Sequence, residues 1–158
     1  MAKMTRGVQV LEQAGATFTL HPYALSEKAD SYGESVADAL GVPSERLFKT
    51  LLAAVDGIPV LAIVPVSSRL GMKALARTAG GKKAEMLAPT DAERITGYVT
   101  GGISPFGQKK RLRTFVDESI LVHETIYCSA GQRGLQVELA PDDLVRLLEA
   151  KTANLAGD

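Results

Sequence analysis

The residues with the clearest chemical potential form a short loop rich in glycine. The loop covers residues 101–110 and reads GGISPFGQKK. Three glycines and one proline leave exposed backbone amides and little side-chain bulk, which suits close approach of a ligand to the main chain. Because the remainder of the chain lacks an obvious set of catalytic side chains, any enzymatic chemistry would depend largely on backbone groups.

Two standard motifs come close to this loop, and both fail on physical grounds. Gly102 and Gly107 have the spacing of a phosphate-binding P-loop, but Gln108 stands where that motif needs its lysine. Ser104 has the position of a hydrolase nucleophile, but Pro105 follows it and has no N–H to stabilise an oxyanion. Ser104 is therefore a poor candidate nucleophile. A purely structural turn is a serious alternative for the loop.

Patterns for metal or cofactor binding do not stand out in the sequence. His21, His123 and Cys128 lack the spacing of a metal-ligand set. Cys128 lies in an apolar segment with strand character, which is typical of a buried structural cysteine rather than a reactive thiolate. A single cysteine excludes a disulfide within the chain and fits a reducing compartment. We expect no metal and no cofactor.

One lysine is out of place among apolar neighbours. Lys49 lies in the segment FKTLL at 48–52, at the start of an otherwise apolar run. It fits a strand-end lysine with its ammonium in solvent, and the pattern alone favours that interpretation. The alternative is a cation beside a negative group of a substrate, which would donate to a phosphate or to a developing oxyanion.

A basic run follows the glycine loop directly. Lys109, Lys110, Arg111 and Arg113 place four cations within five residues, and Lys82-Lys83 could extend the run. Such a run usually forms a solvated face, but it also suits RNA phosphates if the loop holds an RNA terminus. The chain has 18 basic and 18 acidic residues, so its net charge does not draw it to nucleic acid. Any RNA contact must come from a local patch or from a partner.

Helices and strands of mixed order must position these residues. Two apolar runs at 47–55 and 60–66 flank Asp56-Gly57, which predicts a β-hairpin whose strands are buried on both faces. Further strands are predicted at 17–23, 84–87, 113–117, 125–129 and 135–138, and helices near Val8, at 35–40, 70–78 and 91–95, and from Pro141 onward. This order predicts an α+β fold in a single domain, residues 1–158, around a mixed sheet.

Composition is that of an ordinary globular protein. Hydrophobic residues make up 46% of the chain and charged residues 23%. Residues 1–7 lack the apolar core of a signal peptide. The longest apolar run, near 58–66, contains Pro59 and Pro65 and is too short to span a bilayer. We expect a cytoplasmic protein without a membrane partner.

Several motifs together carry a family resemblance. They are FKTLL at 48–52, TGY at 96–98, the loop at 101–110, ETIY at 124–127, Gly131, RGL at 133–135 and Glu138, with His21-x-Tyr23 and the final helix. As a set they resemble the YbaK-type Cys-tRNA(Pro) deacylases. That group belongs to the editing domains related to the insertion domain of bacterial prolyl-tRNA synthetase. The likeness covers nearly the whole chain.

The resemblance implies a fold and a set of site residues. The mixed sheet would be partly barrel-like and wrapped by helices. Lys49 and Gly101 would be catalytic. The residues implied as substrate-binding are Tyr23, Tyr32, Thr50, Gly102, Ile103, Ser104 and Pro105, and those implied as tRNA-binding are Lys109, Lys110 and Arg111. Residues 24–27 depart from the family, because Ala-Leu-Ser-Glu replaces a more polar stretch and alters the predicted rim of the pocket.

The resemblance also implies a function. A free-standing enzyme would hydrolyse Cys-tRNA(Pro), with prolyl-tRNA synthetase as a transient partner. Cysteine and proline are similar in size, so a proline pocket cannot reject cysteine by a large factor, and a second site supplies the missing selectivity. In the mechanism proposed for the family, the thiol of the substrate attacks its own ester carbonyl and forms a cyclic thiolactone.

Two alternatives stay open. A sibling specificity, such as Ala-tRNA(Pro) deacylation with water as nucleophile, would use the same loop. A non-catalytic module that binds tRNA or the synthetase would keep the fold without turnover.

In the editing enzyme, the protein would hold the 3′ end of the tRNA, stabilise the oxyanion with backbone N–H groups and exclude other side chains.

Overall fold

The computed structural model describes residues 4–24 and 32–157, with side chains from residue 36 onward in the second range. Two short 3-10 turns lie at Ser44–Arg46 and Glu118–Val122. The other elements, in chain order, are α1 (Arg6–Gln13), β1 (Phe18–Pro22), α2 (Tyr32–Leu40), β2 (Phe48–Val55), β3 (Ile58–Pro65), β4 (Arg69–Leu70), α3 (Met72–Ala79), β5 (Ala84–Met86), α4 (Pro89–Thr96), β6 (Arg113–Asp117), β7 (Ile126–Gln132), β8 (Leu135–Leu139), α5 (Pro141–Leu148), β9 (Lys151–Ala153) and β10 (Ala156–Gly157).

The described strands form three sheets. The largest has the order β5-β2-β3-β6-β9, the second β1-β8-β7, and the third pairs β10 with β4. The largest sheet is mixed, because β2 runs antiparallel to β3 and β5 while β6 runs parallel to β3 and β9. A single parallel bridge between Leu47 and Tyr127 links the edge of this sheet to the second one. The α+β prediction is confirmed, but one bridge does not close the sheets into a barrel.

The predicted β-hairpin is confirmed as β2 and β3, which pair along their full length. Asp56 and Gly57 both have positive φ, at 51° and 84°, as expected for the turn whose twist matches the flanking strands. Ala53, Ala62 and Ile63 are fully buried, in agreement with strands covered on both faces. The hairpin is therefore a rigid support for the residues at its open end, which include Lys49.

The second sheet has one apolar and one polar face. Successive residues of a strand point to opposite faces, so Cys128 and Val137 pack with the hydrophobic core while Ser129 and Gln136 face the other way. The polar face also carries His21, Tyr127 and Glu138. This polar face is directed toward the open end of β2.

A buried aspartate connects the C-terminal segment to the large sheet through hydrogen bonds. Asp117 is 4% exposed, and its carboxylate accepts hydrogen bonds from the backbone N–H groups of Ser119, Leu155 and Ala156 at 3.2, 2.8 and 3.2 Å. Bonds to a charged acceptor are stronger than neutral ones. β10 therefore depends on a side chain at the end of β6.

Asp117→Asn is expected to lower the free energy of unfolding by about 1–3 kcal/mol, because the amide replaces a charged acceptor and turns a donor toward one of these N–H groups. Urea denaturation measures the change. Asp91→Asn is the matched control, since Asp91 forms an exposed pair with Arg94 and such pairs contribute about 0–1 kcal/mol. Equal free energies of unfolding for the two variants would show that the hydrogen bonds to Asp117 do not stabilise the C-terminal segment.

None of the helices that the structure describes is long and apolar enough to cross a membrane.

Candidate active site

A cavity of about 270 Å³ lies beside the open end of β2. Of the predicted site residues whose side chains the structure describes, four line it: Lys49, Thr50, Gly101 and Ile103. The other described walls come from α2, β5, α4 and the polar face of the second sheet. Residues that are distant in sequence therefore meet at one recess, as the resemblance implies. Their roles in that recess remain predictions.

The cavity borders a strand edge that has no partner among the described strands. β5 pairs with β2 only at Ala53–Val55. The carbonyl of Leu52 accepts a hydrogen bond from the N–H of Leu87 at 3.1 Å. Because peptide groups alternate in direction along a strand, the even-numbered residues of β2 direct their N–H and C=O groups toward the side of β5. By the same alternation, the peptide N–H and C=O of Thr50 point to this edge, beyond the end of β5. A ligand in the cavity can therefore meet main-chain donors and acceptors.

Lys49 is the one titratable side chain among the described residues that line the cavity. It is half-buried, and by strand alternation its side chain leaves β2 on the face opposite to that of Thr50. The described lining contains no carboxylate, imidazole or thiol. Among the described lining residues, Lys49 is thus the side chain that brings a formal positive charge to the cavity.

The glycine loop reaches the cavity through its first residues. Gly101 has a φ of +90°, and a Cβ on it would lie 3.0 Å from Nε of Arg133. The N–H of Gly102 donates to the carbonyl of Val99 at 2.9 Å, and the N–H of Thr100 donates to Glu93 at 2.8 Å. These contacts fix a turn that only glycine adopts without strain at position 101.

The middle of the loop is held inside the protein. Ser104 is fully buried, its Oγ accepts from the N–H of Phe106 at 3.0 Å, and its carbonyl accepts from Gln108 at 2.9 Å. The Tyr98 hydroxyl donates to the carbonyl of Phe106, and burial raises the pKa of Tyr98. The Ser104 side chain is thus held within the loop rather than in the described lining of the cavity, and its predicted substrate-binding role stays a prediction.

Four predicted substrate-binding residues are absent from the described lining of the cavity: Ser104, Gly102, Pro105 and Tyr23. A Cβ on Gly102 would lie 2.8 Å from the backbone nitrogen of Arg133, so this glycine permits close packing of two backbones. Pro105 lines a second cavity of about 250 Å³. Tyr23 packs in a cluster with Leu47 and Tyr127. Tyr32 begins α2, but its side chain is outside the described residues, as are residues 25–27 of the predicted rim.

The basic run lies apart from Lys49. Lys109, Lys110 and Arg111 are exposed, and the last two line the second cavity rather than the first. Arg111 also pairs with Glu149 at 3.2 Å across the surface. Lys82 follows α3 near the hairpin turn, where its N–H donates to Asp56.

The second sheet contributes two polar residues to the described lining that were not predicted as site residues from the sequence. Ser129 and Gln136 face each other across β7 and β8 and both line the cavity. Gln136 is 5% exposed, and within the described part of the chain neither its Oε1 nor the buried Oγ1 of Thr50 has a hydrogen-bond partner. Strand alternation could have placed Ser129 and Gln136 on the face opposite Cys128. The sequence does not indicate that this face looks toward β2.

A polar cluster on the same face supports one wall. Glu138 accepts from Thr125 and lies 2.9 Å from Nε2 of His21, and these interactions lower the pKa of Glu138, with the Thr125 bond as the largest cause. The Arg46 guanidinium lies 5.1 Å from the Tyr127 ring and donates to Thr125 at 2.6 Å. Within 4–24 and 32–157, no group of three or more His, Cys, Asp or Glu side chains could hold a metal ion.

A model of the aminoacyl-tRNA editing domain matches residues 26–147 of this chain. The match covers more than half of the sequence. The chain therefore belongs to the aminoacyl-tRNA editing domain family, and the resemblance stated above is confirmed at the level of the family.

Individual relatives agree with this assignment. The Enterococcus faecalis protein named "Putative Cys-tRNA(Pro)/Cys-tRNA(Cys) deacylase EbsC" is 39% identical over 152 residues, covering 96% of this chain and 92% of the relative. The Escherichia coli K12 protein "Multifunctional Ser/Thr-tRNA deacylase ProXp-y" is 25% identical over 162 residues, covering 98% and 97%. The crystal structure of "a putative trans-editing enzyme for prolyl tRNA synthetase" has a TM-score of 0.84 at 23% identity, covering 97% and 96%. At that identity the structural likeness shows the fold alone.

Proposed function

We propose that this protein is an editing enzyme that removes cysteine from tRNA(Pro). Membership of the editing family and 39% identity to a protein named as a deacylase support aminoacyl-tRNA deacylation as its activity. The observation that carries the finer assignment is the composition of the cavity. Its described lining combines one lysine with a glycine loop and a free strand edge, and it offers no thiol, imidazole or carboxylate.

In this proposal the substrate supplies the nucleophile. In Cys-tRNA(Pro), the substrate Sγ attacks the ester carbonyl carbon and forms a C–S bond. The bond from that carbon to the ribose oxygen breaks, and the ribose oxygen takes the proton that the thiol loses. The products are tRNA with a free 3′ end and a thiolactone, which water then hydrolyses to cysteine. No protein base of the usual kinds is needed for this sequence.

The protein would lower the barrier by electrostatics and positioning. A negative charge develops on the carbonyl oxygen during attack, and Lys49 with backbone N–H groups near Gly101 would stabilise it. Thr50 and Ile103 would confine the aminoacyl group so that Sγ stays near the carbonyl carbon. The cavity volume of about 270 Å³ is at the small end for ligand pockets, which favours a small aminoacyl group.

Delivery of the tRNA would depend on a partner. The chain has equal numbers of basic and acidic residues, which predicts weak electrostatic attraction to tRNA. We propose that prolyl-tRNA synthetase presents the substrate in a transient complex, with Lys109, Lys110 and Arg111 near the tRNA backbone. Addition of the synthetase should then raise the rate at limiting enzyme concentration.

A deacylation panel tests the proposal. Cys-, Ala-, Ser- and Pro-tRNA(Pro) are each incubated with the enzyme, together with Cys-tRNA(Cys), and the acylated fraction is followed. Preference for Cys-tRNA(Pro), with a thiolactone trapped by an added amine, is the expected result. Preference for Ala- or Ser-tRNA(Pro) would indicate a sibling specificity with water as nucleophile. Absence of turnover on all five substrates would indicate a binding module.

The substrate-thiol mechanism predicts that the thiol of the protein is dispensable. Cys128 is fully buried, and burial raises its pKa to about 12, so it cannot act as a thiolate. Cys128→Ala should keep deacylation within about threefold of native, with a modest loss of stability from the smaller side chain. Single-turnover rates and thermal midpoints measure both effects. A folded Cys128→Ala protein without activity would show that the nucleophile belongs to the enzyme.

A further inference from the structure

One buried polar group of the cavity has no partner among the described residues. Gln136 is more than nine-tenths buried, lines the cavity and leaves its Oε1 unsatisfied. A buried acceptor without a donor destabilises a fold by about 1–3 kcal/mol. Such a group is retained at this cost when a ligand supplies the missing donor, because the ligand then gains a hydrogen bond that the protein alone does not make.

The neighbours of Gln136 distinguish it from the rest of the polar face. Glu138, two residues along the same face, bonds to His21 and Thr125. Ser129, directly across the ladder, accepts from the N–H of Gly131 at 3.1 Å. These polar side chains around Gln136 therefore already form hydrogen bonds, whereas the amide oxygen of Gln136 forms none with the described residues.

A second set of acceptors lies at the facing edge of the cavity. Thr50 contributes a buried Oγ1 that no described residue hydrogen-bonds. The ladder alternation described above turns the Thr50 carbonyl toward the same recess. The ligand group that suits several converging acceptors is a compact cation with several donors, and an ammonium has three.

We infer that Gln136 and Thr50 form a subsite for the α-ammonium group of the aminoacyl ester. The inference rests on the proposed function, since it concerns the same cavity and the same substrate class. The α-ammonium lies at the Gln136 side, and the ester carbonyl lies toward Lys49 and Gly101.

The subsite predicts selection for a free amino group. An aminoacyl ester with an unmodified α-amine satisfies both acceptors, whereas a desamino analogue leaves them unpaired. Loss of a hydrogen-bonded donor from a site built to receive it is strongly discriminating. The side chain of the amino acid, in contrast, would not contact Gln136.

Binding of stable analogues tests the subsite without turnover. Three probes carry an amide in place of the ester: 3′-cysteinylamino-, 3′-(3-mercaptopropionyl)amino- and 3′-alanylamino-3′-deoxyadenosine. Calorimetry is expected to give at least tenfold tighter binding of the cysteinyl probe than of the mercaptopropionyl probe, which lacks only the amine. Gln136→Leu should reduce this ratio of affinities, cysteinyl over mercaptopropionyl, to about twofold. Gln9→Leu, at an exposed position of α1, should leave it unchanged.

Each other outcome overturns the inference. Equal binding of the first two probes to the native protein, or no binding at millimolar concentration, removes the subsite. A Gln136→Leu protein that keeps the amine ratio but loses the preference for cysteinyl over alanyl would show that Gln136 contacts the side chain. If Gln136→Leu does not fold, Gln136→Glu provides the test, because a carboxylate should raise the amine ratio.

Turnover separates this inference from the proposed function. Cys-tRNA(Pro) deacylation is measured with the same native protein. Amine-selective binding without turnover would contradict the deacylase assignment and retain the subsite. Turnover without amine-selective binding would support the deacylase assignment and contradict the subsite.

Discussion

Lys49→Ala is expected to lower the single-turnover rate on Cys-tRNA(Pro) by about 10²–10³-fold while the protein stays folded. Removal of one group that stabilises an oxyanion commonly has an effect of this size. The described cavity lining offers no second titratable side chain to replace the lost charge. The fold should survive because β2 is held by its full-length ladder with β3 and by burial of residues beyond Lys49.

Two further variants separate charge from packing. Lys49→Arg keeps a cation with a different shape and should recover only part of the activity. Lys82→Ala removes an exposed lysine near the hairpin turn, about 20 Å along β2 from Lys49 at 3.3 Å per residue, and should remain fully active. Thermal midpoints are recorded for all three. A folded and fully active Lys49→Ala protein would remove Lys49 from the mechanism.

Gly101→Ala is expected to lower the same rate by about tenfold or more. An alanine at a φ of +90° is strained, and its Cβ would press on the Arg133 side chain at 3.0 Å. The loop can relieve the strain only by moving its N–H groups away from the position of the developing oxyanion. The effect should therefore appear in the rate more than in substrate affinity.

Gly57→Ala is the matched control for this prediction. Gly57 lies in the hairpin turn with a φ of +84°, and a Cβ on it would meet no described atom within 4 Å. The variant should lose stability and keep its activity. Ser104→Ala should behave similarly, because the Ser104 hydroxyl serves the N–H of Phe106 rather than the cavity. A larger rate loss in Ser104→Ala than in Gly101→Ala would restore a serine nucleophile.

Elements with strong local signals were predictable from the sequence. Asp56-Gly57 between two apolar runs specified the hairpin, and Pro141 with two aspartates in the first turn specified α5. β4, β9 and β10, which are two or three residues long, were missed. Their pairing depends on distant partners, including the Asp117 carboxylate that holds Leu155 and Ala156. No local pattern encodes that kind of contact.

The candidate site was predictable in part. Lys49 and Gly101 were singled out from residue type and resemblance, and the fold brings both to one cavity. The sequence predicts one functional unit for residues 101–110, but the structure places successive parts of this loop in different surroundings. Its first residues face the cavity, Ser104 is buried, and Pro105 faces the other side. Gln136 was missed because its importance depends on an unmet hydrogen bond, which is visible only in three dimensions.

The early end of β5 has a consequence for the solubility of the protein. An unpaired strand edge invites another chain to add a strand, and natural proteins blunt such edges in many ways. Here the edge at Thr50 lies in a recess of about 270 Å³, between β5 and the second sheet. We expect a recess of that size to admit a small ligand more readily than an extended polypeptide with its side chains. The main-chain groups at Thr50 would then be accessible to a substrate and shielded from self-association.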